Sequence, residues 1–351
     1  MSRKKDDTSA HQAHASKKEL SISLLHQITT FITRVDKTLH PSEITVCATA
    51  KVYGVGRFGR VMGGTVGTGV VERRRREEGV WVGGATPGVV TAAEDSSTPD
   101  SSTPMAVKVV QHRQPYMPPA LAKNTLHELL ALERCAGPSV LPLYGLAHTP
   151  PTVQIVTPLY NQGSLYSLVR SKAWKQVESK DRFKMYREMA EGLATIHGSN
   201  TIHGDVKSHN MLVDFDEKEK VWTAVVGDLG GAVFLEKSTD RSTVEQGTCG
   251  WTAPEVFAGG ASGAGHGMKS DVFSFALVLC DSANNGLPPP SWPGPHDTYA
   301  DRVRAGERPQ LPPGDGTGLQ QMIEYCWKTE EEERPEMVQV KERLEEIERH
   351  L

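Results

Sequence analysis

Three glycines at a fixed spacing mark the first segment that could do chemistry. The run at 54–61, GVGRFGRV, fits the pattern G-x-G-x-x-G-x-V. Glycines at this spacing let the backbone approach phosphate oxygens without a Cβ clash. The same pattern occurs in dinucleotide-binding folds, where it opens a helix. Here four more glycines lie between positions 62 and 70, which a helix tolerates poorly, so the sequence predicts a strand–turn–strand flap over a nucleotide.

A lysine inside an apolar strand is the second signal. Residues 105–110, MAVKVV, read as a strand that contains Lys108, and Glu128 lies twenty positions later on an amphipathic helix predicted over 121–135. A lone strand lysine is usually an outward-facing charge. A strand lysine paired with a helix glutamate, however, orients the α- and β-phosphates of ATP in kinases. The order of glycine loop, lysine and helix glutamate therefore indicates a nucleotide site.

The strongest signal is the segment 202–213, IHGDVKSHNMLV, followed by VVGDLG at 225–230. This arrangement resembles the catalytic loop and the metal-binding aspartate of the eukaryotic protein kinase family. Further matching motifs follow in order: Gly247-Thr248, Ala253-Pro254-Glu255, Ser270-Asp271, Cys326-Trp327 and Arg334-Pro335. The resemblance covers about 45–351, and it is closest to the tyrosine kinase-like group of Ser/Thr kinases.

The resemblance implies a role for each matching residue. Asp205 would accept the proton of the attacking hydroxyl, Lys207 would contact the γ-phosphate, and Asn210 and Asp228 would bind magnesium. Lys108 would act with them in catalysis. The residues that would hold ATP are Gly54, Val55, Gly56, Arg57, Phe58, Gly59, Val61, Ala106, Lys108, Glu128, Thr157, Pro158, Leu159, Tyr160 and Leu212. The implied cofactors are ATP and Mg²⁺.

Two positions bear on specificity and regulation. Lys207 resembles Ser/Thr kinases, because tyrosine kinases of the family generally carry Ala or Arg near that position. Gly204 stands where the family usually has an arginine that binds a phosphate on the activation segment, which corresponds here to Asp228–Glu255. The absence of this arginine weakens the case for control by activation-segment phosphorylation but leaves the residues of the chemical step intact.

Three functions compete at this stage. The first is an active Ser/Thr kinase acting on proteins in intracellular signalling. The second is a pseudokinase scaffold, which would be expected to have lost Lys108, Asp205, Asn210 or Asp228, and all four are present. The third is a nicotinamide enzyme on a Rossmann fold, which the glycine-loop context and the lack of alternating strand–helix units disfavour.

The elements that must position these residues come as strands first and helices later. This order predicts an α+β, bilobal kinase fold with a small β-rich lobe and a larger helical lobe. The predicted boundaries are an N-terminal tail at 1–44 with an amphipathic helix at about 16–39, a kinase domain at 45–351, an N-lobe at 45–157 with a disordered insertion at about 83–104, a hinge at 158–163 and a C-lobe at 164–351.

Composition limits the partners and the compartment. A formal net charge of -4 argues against bulk attraction to nucleic acid or to an anionic membrane. Five widely spaced cysteines without metal-ligand spacing favour a reducing compartment. Neither a secretory signal nor a membrane span is predicted. The expected location is the cytoplasm, with the nucleus left open. The expected partners are protein substrates with Ser/Thr acceptors, and the helix at 16–39 is a candidate for docking a further partner.

Overall fold

The computed structural model describes most of the chain from residue 117 onward and shorter pieces before it. The described residues are 23, 26–28, 44–46, 52–56, 59–66, 103–111, 117–149, 152–242, 247–258, 265–286, 297–313 and 317–351. Residues 23 and 26–28 are helical, and Ile28 is buried. The rest of the helix predicted at 16–39, as well as Arg57, Phe58 and residues 83–102 of the predicted insertion, lie outside the described residues.

The described residues form two compact units. The first contains the segments up to Glu133 together with Pro142–Leu159, and the second contains Arg134–Leu141 and Tyr160–Leu351. Strands dominate the first unit and helices dominate the second. The predicted α+β class is therefore confirmed.

The first unit is an antiparallel sheet with one helix. Its strands are β1 (Ile44–Val46), β2 (Val52–Gly56), β3 (Gly59–Val66), β4 (Thr103–Gln111), β5 (Gly145–Thr149) and β6 (Thr152–Pro158). The order is β1-β3-β4-β6-β5, and β2 also pairs with β3. One face of this sheet packs into a small core made by Met105, Val107, Ala147 and Val156. Because side chains alternate along a strand, the residues between them face the other way.

Strand β4 begins at Thr103 and so includes the last two residues, Thr103 and Pro104, of the stretch that was predicted as an insertion. Thr103 pairs with Val66 and Pro104 pairs with Thr65, both on the β3 side. Pairing with β6 begins only at Met105. Since Pro104 has no N–H to donate, it fits at the start of the strand, before the second neighbour pairs with it.

Helix α1 (Pro119–Arg134) completes the first unit. Proline at the first helical position is favourable because its missing N–H would have no partner within the helix. The buried positions of α1 are Ala122, Thr125, Glu128, Leu129, Ala131 and Leu132, at the three- and four-residue spacing of one helix face. Glu128 is therefore on the buried side of the helix.

The second unit is mainly helical. Its helices are α2 (Leu165–Val169), α3 (Ser179–Gly198), α4 (Met268–Ala283), α5 (Asp297–Arg304), α6 (Leu319–Cys326) and α7 (Met337–His350). Most of α4 is buried, so it forms the centre of this unit. Its strands are β7 (Gly163–Ser164), β8 (Thr201–Ile202), β9 (Met211–Asp216), β10 (Val221–Val226) and β11 (Val233–Phe234).

Short pairings between these strands hold the loops that carry the candidate site residues. Strand β9 pairs with β10 and with β7, and β8 pairs with β11. The segment between β8 and β9 contains Asp205 and Asn210, and the segment after β10 contains Asp228. Among the helices of the described segments, none is long and apolar enough to cross a membrane.

Candidate active site

In the first unit the glycine run forms a hairpin. Strands β2 and β3 are antiparallel, with Gly56 opposite Gly59 and Gly54 opposite Val61. A dinucleotide-binding motif would lead into a helix instead. The hairpin is thus the strand–turn–strand arrangement expected for a flap.

Lys108 and Glu128 meet as an ion pair within the first unit. Lys108 Nζ lies 2.6 Å from Glu128 Oε1 and 2.7 Å from Oε2, so it bonds both oxygens. The side chains are 18% and 9% exposed, which places the pair at the edge of the core rather than in open solvent. A charge held this way keeps one orientation because its partner is fixed on a packed helix.

Three of the residues predicted to hold ATP, Ala106, Lys108 and Thr157, share one face of the sheet in this unit. Ala106 stands opposite Thr157 on β6, and Lys108 stands opposite Val61 on β3. Since directly opposed residues and positions two apart lie on the same side, Ala106, Thr157 and Lys108 face together, away from the small core. Pro158 ends β6, and Leu159 is the last residue of the unit.

Tyr160 and Leu212, which were also predicted to hold ATP, belong to the second unit. The Tyr160 carbonyl accepts a hydrogen bond from the Gly163 N–H at 3.0 Å, which closes a turn. Leu212 on β9 pairs with Ser164 on β7. Burial, together with the carboxylates of Asp214 and Glu188, raises the pKa of the Tyr160 hydroxyl, so the phenol stays neutral.

Two side chains hold the carboxylate of Asp205, which lies in the catalytic loop (residues 203–210): Lys207 from the same loop and Thr248 from a later segment. Lys207 Nζ donates to Asp205 Oδ2 at 2.6 Å, and the Thr248 hydroxyl donates to Asp205 Oδ1 at 2.7 Å. Lys207 Nζ also donates to Thr248 Oγ1 at 2.8 Å. The carboxylate is 23% exposed, so a substrate hydroxyl can reach it while its orientation is fixed. This geometry suits a proton acceptor.

Asn210 and Asp228 lie next to each other through the backbone. The Gly227 N–H donates to the Asn210 carbonyl at 2.8 Å, and His203 Nε2 lies 3.0 Å from the Gly227 carbonyl. Asp228 is exposed and has left-handed backbone angles, with φ 56° and ψ 66°. This conformation is costly for a residue other than glycine, and such strain clusters at functional sites.

These two side chains fit a magnesium ion. The Asn210 amide donates through Nδ2 to the Asp205 carbonyl at 2.8 Å, which directs its Oδ1 elsewhere. An amide oxygen and an exposed carboxylate are ligands that Mg²⁺ takes together with waters and phosphate oxygens. Mg²⁺ rarely uses an all-protein cage, so the lack of a cluster of three or more His, Cys, Asp or Glu ligands in the described segments is no obstacle.

A buried carboxylate on α4 holds the start of the catalytic loop. Asp271 accepts the His203 N–H at 2.8 Å and the Gly204 N–H at 3.0 Å, and its Oδ2 lies 2.9 Å from His197 Nε2. Burial alone would raise the pKa of Asp271, but the hydrogen bonds from His197 and from the His203 N–H, together with the nearby imidazoles of both residues, outweigh burial and lower the pKa. Asp271 therefore stays ionised at neutral pH.

A second buried pair fixes the end of the activation segment. Arg334 donates to Glu255 Oε1 at 2.7 Å and to Oε2 at 2.9 Å, and the Ser270 hydroxyl donates to Oε1 at 2.7 Å. The Arg334 side chain has no solvent exposure. Both the Asp271 anchor and this pair are formed by residues of the motifs that carry the family resemblance.

Sequence reasoning missed a group of residues at the other end of the catalytic loop. The Ser208 hydroxyl donates a hydrogen bond to Asp281, which also accepts one from Arg170. The Tyr166 ring stacks on the imidazole of His209. One signal was available, because the acidic Asp281 directly follows the apolar run FALVLC (residues 275–280) near the end of α4. An acidic side chain on a buried helix face needs a partner.

The chain also resembles known proteins in sequence. Residues 77–344 match the family described as protein tyrosine and serine/threonine kinase. This match begins after the glycine run at 54–61. The interpretation of that run as a flap is therefore supported by the pairing of β2 with β3 and not by the family match.

Similar proteins include kinases of both specificities. Serine/threonine-protein kinase STY46 of Arabidopsis thaliana is 28% identical over 70% of this chain and 40% of its own length. Serine/threonine-protein kinase CTR1 of the same plant is 30% identical over 62% of this chain and 26% of its own. Human protein-tyrosine kinase 6 is 29% identical over 63% of this chain and 48% of its own. The chain thus spans less than half the length of these relatives.

The family match covers most of the chain and includes the lysine strand, the catalytic loop and the buried anchors. The motif order and the geometry of the catalytic loop agree with that match. This chain belongs to the protein kinase family, and it most resembles the tyrosine kinase-like group.

Proposed function

We propose that this chain is an active protein kinase that transfers the γ-phosphate of Mg-ATP to Ser or Thr hydroxyls of proteins. The observation that carries the proposal is the arrangement of Lys207 and Thr248 on the two oxygens of Asp205. A carboxylate held between a lysine and a threonine hydroxyl is oriented to accept the proton of an incoming hydroxyl.

In the proposed reaction the substrate oxygen forms a bond to the γ-phosphorus as the bond to the β-phosphate oxygen breaks. The hydroxyl proton passes to Asp205. Lys207, whose ammonium has three donors, can bond both Asp205 and a γ-phosphate oxygen. Asn210 and Asp228 would hold Mg²⁺, which neutralises phosphate charge when bound. The Lys108–Glu128 pair would orient the α- and β-phosphates under the flap at 54–61.

Specificity for Ser and Thr is supported by Lys207 and by the names of several relatives, although a tyrosine kinase is about as similar. The pseudokinase alternative is disfavoured because Lys108, Asp205, Asn210 and Asp228 are all present. We also propose a cytoplasmic location, which the free thiols of Cys135, Cys280 and Cys326 support. The substrates would be proteins.

The test is phosphate transfer by the full chain to peptide pools that carry Ser, Thr or Tyr as the acceptor. Asp205→Ala should lower turnover by at least about 10²-fold while ATP binding stays near normal. Asp228→Ala should remove the Mg²⁺-dependent part of ATP affinity, measured by calorimetry. Asp301→Ala, at an exposed helix position, is the matched control and should behave as wild type. Full turnover by the Asp205 variant would contradict the kinase proposal, and transfer to Tyr alone would contradict its specificity.

A further inference from the structure

Helix α4 presents a second buried carboxylate to the catalytic loop. The Asp281 side chain has no solvent exposure, and its Oδ2 accepts the Ser208 hydroxyl at 2.7 Å. Arg170, which follows α2, donates to Asp281 Oδ1 at 2.8 Å and to Oδ2 at 3.2 Å. Ser208 is itself fully buried. A charge-assisted bond of this kind, shielded from water, is strongly directional.

A second contact joins α2 to the next residue of the loop. The Tyr166 ring stacks on the His209 imidazole, with centroids 3.7 Å apart and planes 22° from parallel. On its other face the Arg170 guanidinium lies 3.5 Å from the ring centroid. Tyr166 is thus held between two planar groups, a favourable arrangement for a cation and an aromatic ring.

The Arg170 side chain also packs closely against Gly286, which follows α4. Gly286 has a φ of +79°, and a Cβ added there would come 2.5 Å from Arg170 Cγ. Arg170 also donates to the Tyr166 carbonyl at 3.1 Å. We call Tyr166, Arg170 and Asp281 the clamp. It grips two consecutive loop residues, Ser208 and His209.

These two residues separate Lys207 from Asn210. Ser208–Asn210 forms a single 3-10 turn, and the Asn210 N–H donates to the Lys207 carbonyl at 2.9 Å. A single turn with few hydrogen bonds is weakly held by itself. Contacts that fix its central residues therefore also fix the side chains at both ends, Lys207 and Asn210.

The buried carboxylate of Asp281 is not explained by a contribution to stability, because removing a charge from water costs free energy. Its neighbours Val278, Leu279 and Cys280 are buried and apolar. Replacing a buried ion pair by apolar residues of similar size is often neutral or stabilising. A buried carboxylate that bonds a catalytic-loop hydroxyl is better explained by the position it imposes.

We propose that the clamp is a positioning device. By holding Ser208 and His209, it fixes the positions of the Lys207 and Asn210 side chains of the catalytic loop. Tyr166, Arg170, Ser208 and Asp281 are then positioning residues that touch neither nucleotide nor substrate. This inference rests on the proposed function, because Lys207 and Asn210 matter only if they serve phosphate and magnesium. Partners around a metal ligand typically change metal affinity or activity when they are removed.

The experiment compares Ser208→Ala with Ser208→Thr, which keeps the hydroxyl, in the full chain. Ser282→Ala is the matched control. Ser282 is buried on α4 next to Asp281, and its Oγ has no hydrogen-bond partner within the described segments. Tyr166→Ala and Tyr166→Phe test the stacking contact. Each variant is assayed for kcat, for KM of ATP, for the Mg²⁺ concentration giving half-maximal activity, and for Mg²⁺-dependent affinity toward a non-hydrolysable ATP analogue.

Ser208→Ala should lower kcat about tenfold and raise the Mg²⁺ concentration that gives half-maximal activity about tenfold. Its affinity for the ATP analogue without Mg²⁺ should stay at the wild-type value. Ser208→Thr and Tyr166→Phe should keep the wild-type kcat and Mg²⁺ dependence. Tyr166→Ala should lose less activity than Ser208→Ala, and Ser282→Ala should lose none. An unchanged Mg²⁺ response in Ser208→Ala, or equal losses in Ser208→Ala and Ser282→Ala, would overturn the proposal.

Failure of the proposed function is visible separately. If wild type transfers no phosphate but binds the analogue in a Mg²⁺-dependent way, the binding measurement alone decides on the clamp. If wild type shows no Mg²⁺-dependent binding either, both proposals are overturned.

Discussion

The two units hold their charged site groups by different means. In the first unit Lys108 is oriented by a bond between two flexible side chains, since Glu128 reaches it from a helix. In the second unit the backbone of the catalytic loop itself is bonded, because Asp271 accepts the N–H groups of His203 and Gly204. One device fixes a side chain, and the other fixes the chain that carries several side chains.

This difference has an energetic consequence. An ion pair at the edge of a core contributes modestly to stability, because both charges remain partly hydrated. A buried carboxylate that satisfies two backbone donors is different, since removing it leaves those donors without a partner in a dry core. Losing the Lys108–Glu128 pair should therefore affect mainly function, whereas losing Asp271 should affect function and folding together.

The largest effect is expected from Asp271→Asn. The new amide places donors against the His203 N–H and His197, which should cost about 2–4 kcal/mol of unfolding free energy. The resulting shift of the loop should lower turnover by about 10²-fold. Urea unfolding and initial rates measure the two effects. If the variant were as stable as wild type, the contrast between the units would be broken.

Asp271 also predicts a dependence on pH. Its pKa is lowered from the ordinary value of 3.8, so its contribution to stability is present above that value and is lost as pH falls through the lower folded value. Wild-type stability should therefore fall more steeply below pH 3.8 than that of Asp271→Asn. Parallel slopes for the two proteins would contradict this assignment.

A smaller, purely functional effect is expected from Glu128→Gln. The amide keeps the shape but not the charge that orients Lys108, so kcat/KM for ATP should fall about tenfold. The unfolding free energy should change by less than about 1 kcal/mol. Glu133→Gln, at an exposed position of the same helix, is the matched control. A stability loss as large as that of Asp271→Asn would erase the difference between the units.

The smallest effect is expected from removing phosphate acceptors in the activation segment. Arg241 forms an ion pair with Glu331, and Ser242 exchanges backbone hydrogen bonds with His266 at 2.8 and 3.0 Å. The segment is thus anchored without a phosphate, as Gly204 leads us to expect. A variant with Ala at Ser238, Thr239, Ser242 and Thr243 should keep its turnover within about threefold of wild type. Thr243 lies outside the described residues.

Phosphatase-treated wild type is the companion measurement, at saturating ATP. A tenfold loss that rephosphorylation restores in wild type, but not in the four-alanine variant, would show that a phosphate site exists after all. Lys123 and Lys237 would then be the basic side chains to examine next. Arg241→Ala separates the ion pair from any phosphate, because it should loosen the segment in both phosphorylation states.

The sequence by itself determined the groups that act within one short segment. The spacing of Asp205, Lys207 and Asn210 is local, so a single loop brings them together whatever surrounds it. The glycine hairpin, the lysine strand and the helix that carries Glu128 could be predicted for the same reason, since strand alternation and helix periodicity are properties of neighbouring residues. The α+β class followed from the order of those patterns.

The tertiary structure alone decided what holds these groups in place. Asp271 lies 68 positions from His203, Asp281 lies 73 from Ser208, and Arg170 lies 111 from Asp281. Nothing in the local pattern of either partner specifies such a distant bond. It forms because α4 packs at the centre of the second unit and brings two carboxylates against the catalytic loop, where the absence of water makes their hydrogen bonds decisive.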